Sequence, residues 1–272
     1  MSQRFASLFP SHALIGVVHL MPLPGSPDYG GSMAPVIERA AEDATALTEG
    51  GFDGIIVENF GDAPFYPDSV PPITISAMTV CAMAVAERIA KASLSPVLGL
   101  NVLRNDAEAA LAIATAVGAS FIRVNVHTGA MITDQGLIQG QAHHTLRQRS
   151  ALGMTNLAIL TDILVKHASP LGTLTLEDAA RDTWKRGGSD ALIVSGAGTG
   201  LKTDPQTVAT VRRAAPDAPI LIGSGTTLDT LSALLLHADA AIIGTALKVG
   251  NSVHGAVDVE KVAKFVETRN AN

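Results

Sequence analysis

One cysteine, Cys81, stands in 272 residues, so no disulfide framework holds this chain together. Its alanine-rich, helix-like surroundings fit a small buried hydrophobe. Aromatic residues make up only 4% of the chain, and basic residues are outnumbered 19 to 25 by acidic ones, for a net charge of −6. No basic stripe with interleaved aromatics occurs, which argues against binding nucleic acid by charge. No uninterrupted run of about eighteen apolar residues occurs either, and residues Met1 to Ser11 carry one basic residue and no apolar centre. These absences predict a soluble, cytoplasmic protein with no integral membrane segment. Linkers, low-complexity stretches and long internal repeats are missing as well.

What is present is apolar and periodic. Hydrophobic residues are 47% of the chain, enough for a sizeable core in one domain spanning residues 1–272. Short β-like runs fall at Leu14 to Val18, Gly54 to Val57, Pro96 to Leu100, Phe121 to Val126, Leu157 to Leu160, Ala191 to Val194, Pro219 to Ile222 and Ala240 to Ile243. Between them lie segments of helical period, among them Pro35 to Thr48, Asp106 to Val117, Leu176 to Arg186, Thr207 to Ala215 and Thr227 to Leu236. Eight β/α units in this length predict a single (β/α)8 TIM barrel, and their count and even spacing disfavour a doubly wound sheet. Ser32, Asp106 and Asp204 (before Pro205) are placed as helix N-caps.

A barrel of this kind carries its chemistry at the C-terminal ends of its strands. Those ends are polar here: His19, then Glu58 and Asn59, Asn101, Asn125 and His127, and Asp162. Arg123 lies inside an apolar run, where burial on both faces requires that its charge be paired or reach the site. Strand alternation puts Arg123, Asn125 and His127 on one face. Glu58 and Asp162 are the candidate general acid and base, with His19 beside them, since two carboxylates of different pKa can donate and accept protons. Asn101, Arg123, Asn125, His127 and Lys166 are candidate substrate contacts. A Schiff base on Lys166 is the weaker reading because the residue lies four positions beyond the strand end, and a phosphate or carboxylate partner suits it better. No cofactor is expected. A divalent metal on His19, Glu58, Asp162 and His167 is the minority alternative, because no H-x-H or H-E-x-x-H spacing supports it.

Three glycine-rich strand ends come late in the chain: Ser195 to Gly200, Gly223 to Thr227 and Gly244 to Ala246. Each precedes a helix-like segment, so backbone N–H groups can converge on one anion. The phosphate contacts expected are Gly196, Gly198, Thr199, Gly223, Ser224, Gly225, Gly244 and Thr245. Two early loops, His19 to Gly31 and Asn59 to Pro67, are stiffened by proline and hold Tyr29, Phe60, Phe65 and Tyr66, as ligand walls or a local core under a lid. A third, Thr128 to Gly136, has glycine joints and reads as a mobile loop.

The string Gly16-Val17-Val18-His19-Leu20-Met21-Pro22-Leu23-Pro24-Gly25-Ser26-Pro27 resembles the opening of the BtpA family. Further likeness runs through Val57 to Phe65, Asn101 to Asp106, Phe121 to Asn125, Thr133 to Gly136 and Gly223 to Gly225. Leu228-Asp229 departs from the Glu-Asn that family members often carry. The resemblance implies a ribulose-phosphate-binding type of barrel. It also implies two kinds of role: photosystem I biogenesis, or sugar metabolism of the SgcQ type, where members are described as nucleosidases. The leading expectation is an enzyme acting on a small phosphorylated sugar or nucleoside-type metabolite by carboxylate acid/base chemistry, through glycosidic cleavage, isomerisation or aldol-type cleavage. The alternative is a non-catalytic assembly or stabilisation factor of photosystem I type. The smooth alanine-rich helices also offer faces for a homo-oligomer.

Overall fold

All eight apolar runs become parallel strands in a computed structural model, which describes residues 2–196 and 203–271. The barrel strands are β1 (Ala13–His19), β2 (Gly54–Glu58), β3 (Val97–Asn101), β4 (Phe121–Val124), β7 (Ala158–Ile163), β9 (Ala191–Val194), β10 (Ile220–Ile222) and β11 (Ala240–Ile243). They close in the order β1-β2-β3-β4-β7-β9-β10-β11, with β11 pairing back onto β1 from Ala13↔Ala240 to Gly16↔Ile243. The predicted barrel is therefore the fold.

Alternation along each strand separates two cores. Leu14, Val18, Ile55, Val57, Leu100 and Ile122 point outward into the layer shared with the helices. Ile15, Val17, Ile56, Phe121, Leu160, Ile193 and Ile242 point inward. The N-terminal end of the barrel is closed by a short helix, α1 (Gln3–Leu8), and the residue after it. Phe5 stacks at 5.1 Å on Phe9, and Phe9 meets Phe121 edge-on at 5.4 Å. Small residues make room for these rings. A Cβ on Gly54 would lie 2.9 Å from the Phe9 ring, and one on Gly99 would collide with Phe121. Ala13, Ala158, Ala191 and Ala240 complete the inner lining there.

The outer helices include α2 (Ala34–Glu49), α3 (Pro72–Lys91), α4 (Ala107–Val117), α7 (Pro205–Ala214), α8 (Leu228–Leu235) and α9 (Val259–Asn270). Asp106 caps α4 by accepting from the Ala109 N–H at 2.8 Å, and Asp204 caps α7 by accepting from Gln206 at 3.0 Å. Ser32 accepts from the Ala34 N–H at 3.3 Å, but the helix begins after Met33, one position later than expected. Helix α3 is long and apolar enough to cross a membrane by length and composition, with a mean hydropathy of 1.5 over its best window. One of its faces, through Ala77, Met78, Cys81, Ala82 and Val85, is buried in the outer core. Cys81 is thus the small buried hydrophobe its surroundings suggest, and burial pushes its thiol up to about 12.

Two segments differ from the sequence reading. Thr128 to Gly136 is not a plain loop, because Ala130–Thr133 (β5) and Gly136–Gln139 (β6) form a hairpin, and Ala168–Pro170 (β8) adds a third antiparallel strand. Alternation is short on both sides of the turn, and Gly136 at φ +100 is the residue that permits it. The stretch Leu176 to Arg186 is helical only to Arg181 (α6) and then widens into a π turn over Asp182–Arg186.

Candidate functional site

At the C-terminal mouth the inward positions change from apolar to polar. Arg123 and Asp162 form a two-pronged ion pair, Nε to Oδ2 and Nη2 to Oδ1, both at 2.9 Å. Asn125 Nδ2 donates to the same carboxylate at 3.0 Å and Ser195 Oγ at 3.1 Å. Asn101 Nδ2 donates to the Arg123 carbonyl and to Asn125 Oδ1, both at 3.1 Å. The strand argument that Arg123 must be paired is thereby met. Asp162, expected as one of two acid/base carboxylates, accepts four hydrogen bonds, and its side chain is wholly buried.

Glu58 differs. It faces a cavity of about 580 Å³ at the barrel mouth together with His19, Phe60, Arg123 and Lys166. Burial raises its pKa above the ordinary value of 4.5, and the charge of Asp162 adds to this against the opposing pull of Arg123, Lys166 and Arg104. His19 Nε2 lies 3.6 Å from Glu58 Oε1, and its ring tilts against Phe60 at 5.0 Å. Burial first, then the charges of Lys248, Lys166 and Arg123, hold His19 well below 6.5. The pair is thus biased towards a neutral imidazole beside a protonatable carboxyl group. A Cβ on Gly244 would lie 2.9 Å from His19 Cε1, so this glycine makes space for the ring.

Lys166 reaches the cavity because the chain doubles back after β7, with Leu164 at φ +50 and His167 at φ +56. Its four-residue offset from the strand end therefore does not remove it from the mouth. The ammonium lies 6.0 Å from the Phe60 ring centre, and burial lowers its pKa from 10.5.

The opposite wall carries the glycine-rich loops. The Ser224 carbonyl is turned back towards the protein, accepting from Gly196 N–H at 3.4 Å and Thr203 Oγ1 at 2.8 Å. In a planar trans peptide the Gly225 N–H then points the other way, and it has no partner among the described residues. Gly225 itself sits at φ +93, where a side chain would be strained. Thr245 opens a single 3-10 turn, Thr245–Leu247, whose leading N–H groups are unpaired within it. Ser224 Oγ and Thr226 Oγ1 are buried without hydrogen-bond partners among the described residues. Lys261 also lines this cavity, donating to the Lys248 carbonyl and to Asn251 Oδ1, both at 2.7 Å, so that its charge meets no carboxylate there.

A second cavity, about 350 Å³, shares Glu58, Phe60, Arg123 and Lys166 with the first and adds Phe65, Arg104, Asn125, Asp134, Gln135 and His167. The turn of the β5–β6 hairpin supplies Asp134 and Gln135. Arg104, Lys261 and this hairpin turn are site residues that strand-end reasoning missed. Alternation across Asp134-Gln135-Gly136 is the signal that could have located the turn.

Not every expected contact gathers here. His127 is buried on the far side, its Nε2 bonded to the Gly187 carbonyl at 2.9 Å. Asn101 supports Arg123 and Asn125 from behind and lines neither cavity. The Gly223 N–H is engaged in the barrel, donating to Val194 at 2.7 Å, and a Cβ there would strike Ser195. Gly196 lines neither cavity, and its N–H is directed at Ser224. Gly198 and Thr199 lie outside the described residues. Of the early-loop aromatics, Phe60 and Phe65 form a wall at 6.2 Å, whereas Tyr66 is exposed. No group of three or more His, Cys, Asp or Glu side chains placed to hold a metal occurs among the described residues.

The barrel is similar to solved structures of an archaeal fructose 1,6-bisphosphate aldolase (TM-score 0.56, 16% identity, covering 100% of this chain and 99% of that one) and of phosphoribosyl anthranilate isomerase from Thermus thermophilus (TM-score 0.57, 12% identity, covering 95% and 98%). At such identities the likeness is one of fold. Sequence similarity is closer. The chain is 49% identical over 260 residues to the photosystem I biogenesis protein BtpA of Synechocystis sp., covering 95% of this chain and 88% of that protein. It is 44% identical over 259 residues to an uncharacterized protein of Thermococcus kodakarensis, covering 95% of both. The BtpA family pattern matches residues 10–271, and on these grounds the chain belongs to the BtpA family.

Proposed function

We propose that this protein is an enzyme that moves a proton within a small phosphorylated sugar or closely related metabolite, by isomerisation or aldol-type cleavage. One observation carries the reading. A single cavity joins N–H and hydroxyl groups at Ser224, Gly225, Thr226 and Thr245 that have no partner among the described residues to a protonatable Glu58 flanked by Lys166. The first set suits the phosphate, with Lys261 as a nearby cation. The second suits the reacting end. Glu58 takes the proton from carbon or hydroxyl and returns it, while Lys166 stabilises the oxygen on which negative charge grows. His19, uncharged, can donate or accept a hydrogen bond at the same centre without competing for the proton. Asp162 acts as a positioning residue by fixing Arg123 at the mouth.

Glycosidic cleavage fits less well. Most glycosidases need two working carboxyl groups flanking the bond, and here the second is held by four donors. Proton transfer by these side chains requires no resident cofactor, and assays run with and without a chelator test that directly.

The experiment is solvent-deuterium exchange. Sugar phosphates incubated with the protein in D2O should gain deuterium at a carbon next to the carbonyl, and the Glu58→Gln variant should lose that exchange while still binding. The reading fails if no phosphorylated compound exchanges its protons or shifts the melting temperature. A second reading, a non-catalytic role in assembling a membrane complex, is favoured by the 49% identity to a protein named for photosystem I biogenesis. Under that reading, Glu58→Gln should support assembly as well as the wild type does.

A further inference from the structure

Arg104 and Arg123 present the same chemistry in opposite states. Arg123 is matched by both oxygens of Asp162. Arg104 is equally buried, at 5% exposure, yet its guanidinium makes one hydrogen bond, Nη2 to the Lys166 carbonyl at 2.7 Å, and no ion pair among the described residues. Four of its five N–H donors are left over. The Lys166 ammonium lies over the face of Phe60 and feels the charges of Glu58 and Asp162, but it forms no ion pair among the described residues. Asp134 also lines this lobe, but it is exposed and its Oδ2 accepts from Gln135 Nε2 at 2.5 Å. Gln135 Oε1 is buried with no donor among the described residues. Two largely buried cations on which Glu58 and Asp162, and for Arg104 also Asp134, act without forming an ion pair among the described residues are only partly compensated, and a neutral ligand would leave them so. An oxyanion would satisfy both, since a guanidinium fork matches carboxylate and phosphate oxygens alike.

We infer that the lobe lined by Arg104, Lys166 and Gln135 is a second oxyanion subsite, so that the substrate is a bis-anionic sugar derivative. Its phosphate lies at the Ser224–Thr226 and Thr245 wall. A carboxylate or second phosphate lies on Arg104 and Lys166, and a neighbouring hydroxyl donates to Gln135 Oε1. The inference rests on the phosphate reading above and narrows it to a substrate class. The shared residues Glu58, Phe60, Arg123 and Lys166 make the two lobes continuous, and the reacting carbons would lie between the anionic ends, beside Glu58.

Calorimetric titration of the full chain with ribose 5-phosphate, fructose 1,6-bisphosphate, 6-phosphogluconate and gluconate tests this, using wild type, Arg104→Met and Lys166→Met. At least one bis-anion should bind about tenfold or more tightly than ribose 5-phosphate, both variants should lose that preference, and ribose 5-phosphate should change by less than about threefold in Arg104→Met. Which bis-anion gains tells carboxylate from phosphate. Equal affinities for all phosphorylated probes in the wild type, or a preference that survives Arg104→Met, would overturn the subsite. Melting of the ligand-free protein guards against a merely structural arginine. Arg104→Met should melt at or above the wild-type temperature, and a clear fall would count against the proposal. Binding of gluconate alone, abolished in Arg104→Met, would keep the second subsite and remove the phosphate wall.

Discussion

The two ends of the barrel interior are built from the same strands and the same alternation, but to opposite effect. At the N-terminal end apolar inward groups pack together, and ring shape is matched to missing side chains, Phe9 over Gly54 and Phe121 over Gly99. At the C-terminal end the inward groups include many polar ones, and several have no partner among the described residues: Ser224 Oγ, Thr226 Oγ1, His19 Nδ1 and the spare donors of Arg104. Close packing favours the fold, whereas orphaned polar groups oppose it and persist where a ligand can use them. The difference points to the C-terminal mouth as the proposed site without reference to any relative.

The sharpest way to break the comparison is to damage the packed end. Phe121→Ala should cost about 3–5 kcal/mol of stability, because the cavity it leaves lies among rigid neighbours. The melting temperature should fall by many degrees, and ligand affinity at low temperature should hold. A small loss would mean that the N-terminal end is not the stabilising one. At the mouth, Asp162→Asn removes the counter-charge of buried Arg123 and should cost towards the lower end of about 3–5 kcal/mol, since the amide keeps some of the hydrogen bonds. Here activity should fall with stability, unlike at Phe121.

Glu58→Gln should separate the two quantities. Turnover should drop by about a hundredfold or more, with stability held within about 1 kcal/mol, because the amide cannot move a proton but fills the same space. A parallel loss of both would make Glu58 a structural group. Smaller still, Ser224→Ala and Thr226→Val should each leave the free protein unchanged or up to about 1 kcal/mol more stable, since they delete buried hydroxyls that have no partner among the described residues. Phosphate-containing ligands should bind these variants more weakly.

Much of this was legible in the residues. The eight runs fell within a few positions of the eight barrel strands because parallel strands buried on both faces leave unmistakable apolar blocks, as in Ala191-Leu192-Ile193-Val194. Glu58, His19 and Arg123 were visible as polar residues at or inside such blocks. Partnership was not visible. Asp162 and Glu58 look alike in sequence, and only the register β4 to β7, Arg123↔Leu160 and Val124↔Thr161, brings Asp162 onto the guanidinium. Gly223 reads as a phosphate contact and does line the cavity, but its N–H is taken up by Val194, and its lack of a side chain also gives clearance for Ser195. Arg104, beyond the end of β3, carries no periodic signal at all, and its place depends on the return of the chain at Lys166.

The last effect is a pH dependence at His19, and its sign distinguishes a buried neutral imidazole from a protonated partner of Glu58. Burial and the surrounding cations put the folded-state pKa well below the unfolded value of about 6.5. A group depressed in this way contributes its stability above the unfolded pKa and loses it as pH falls towards the folded one. Wild type should therefore weaken relative to His19→Gln as pH is lowered from about 7 to 5, with a slope of at most about 1.4 kcal/mol per pH unit. Glu58 acts in the opposite sense, since a raised carboxyl pKa favours the folded state on the acid side of about 4.5 and loses that advantage as pH rises. Denaturant midpoints of wild type, His19→Gln and Glu58→Gln across this range separate the two contributions. If wild type instead gained stability over His19→Gln on acidification, the imidazole would be taking up a proton against Glu58, and the mouth would hold an ion pair rather than the neutral pair that leaves Glu58 available for proton transfer.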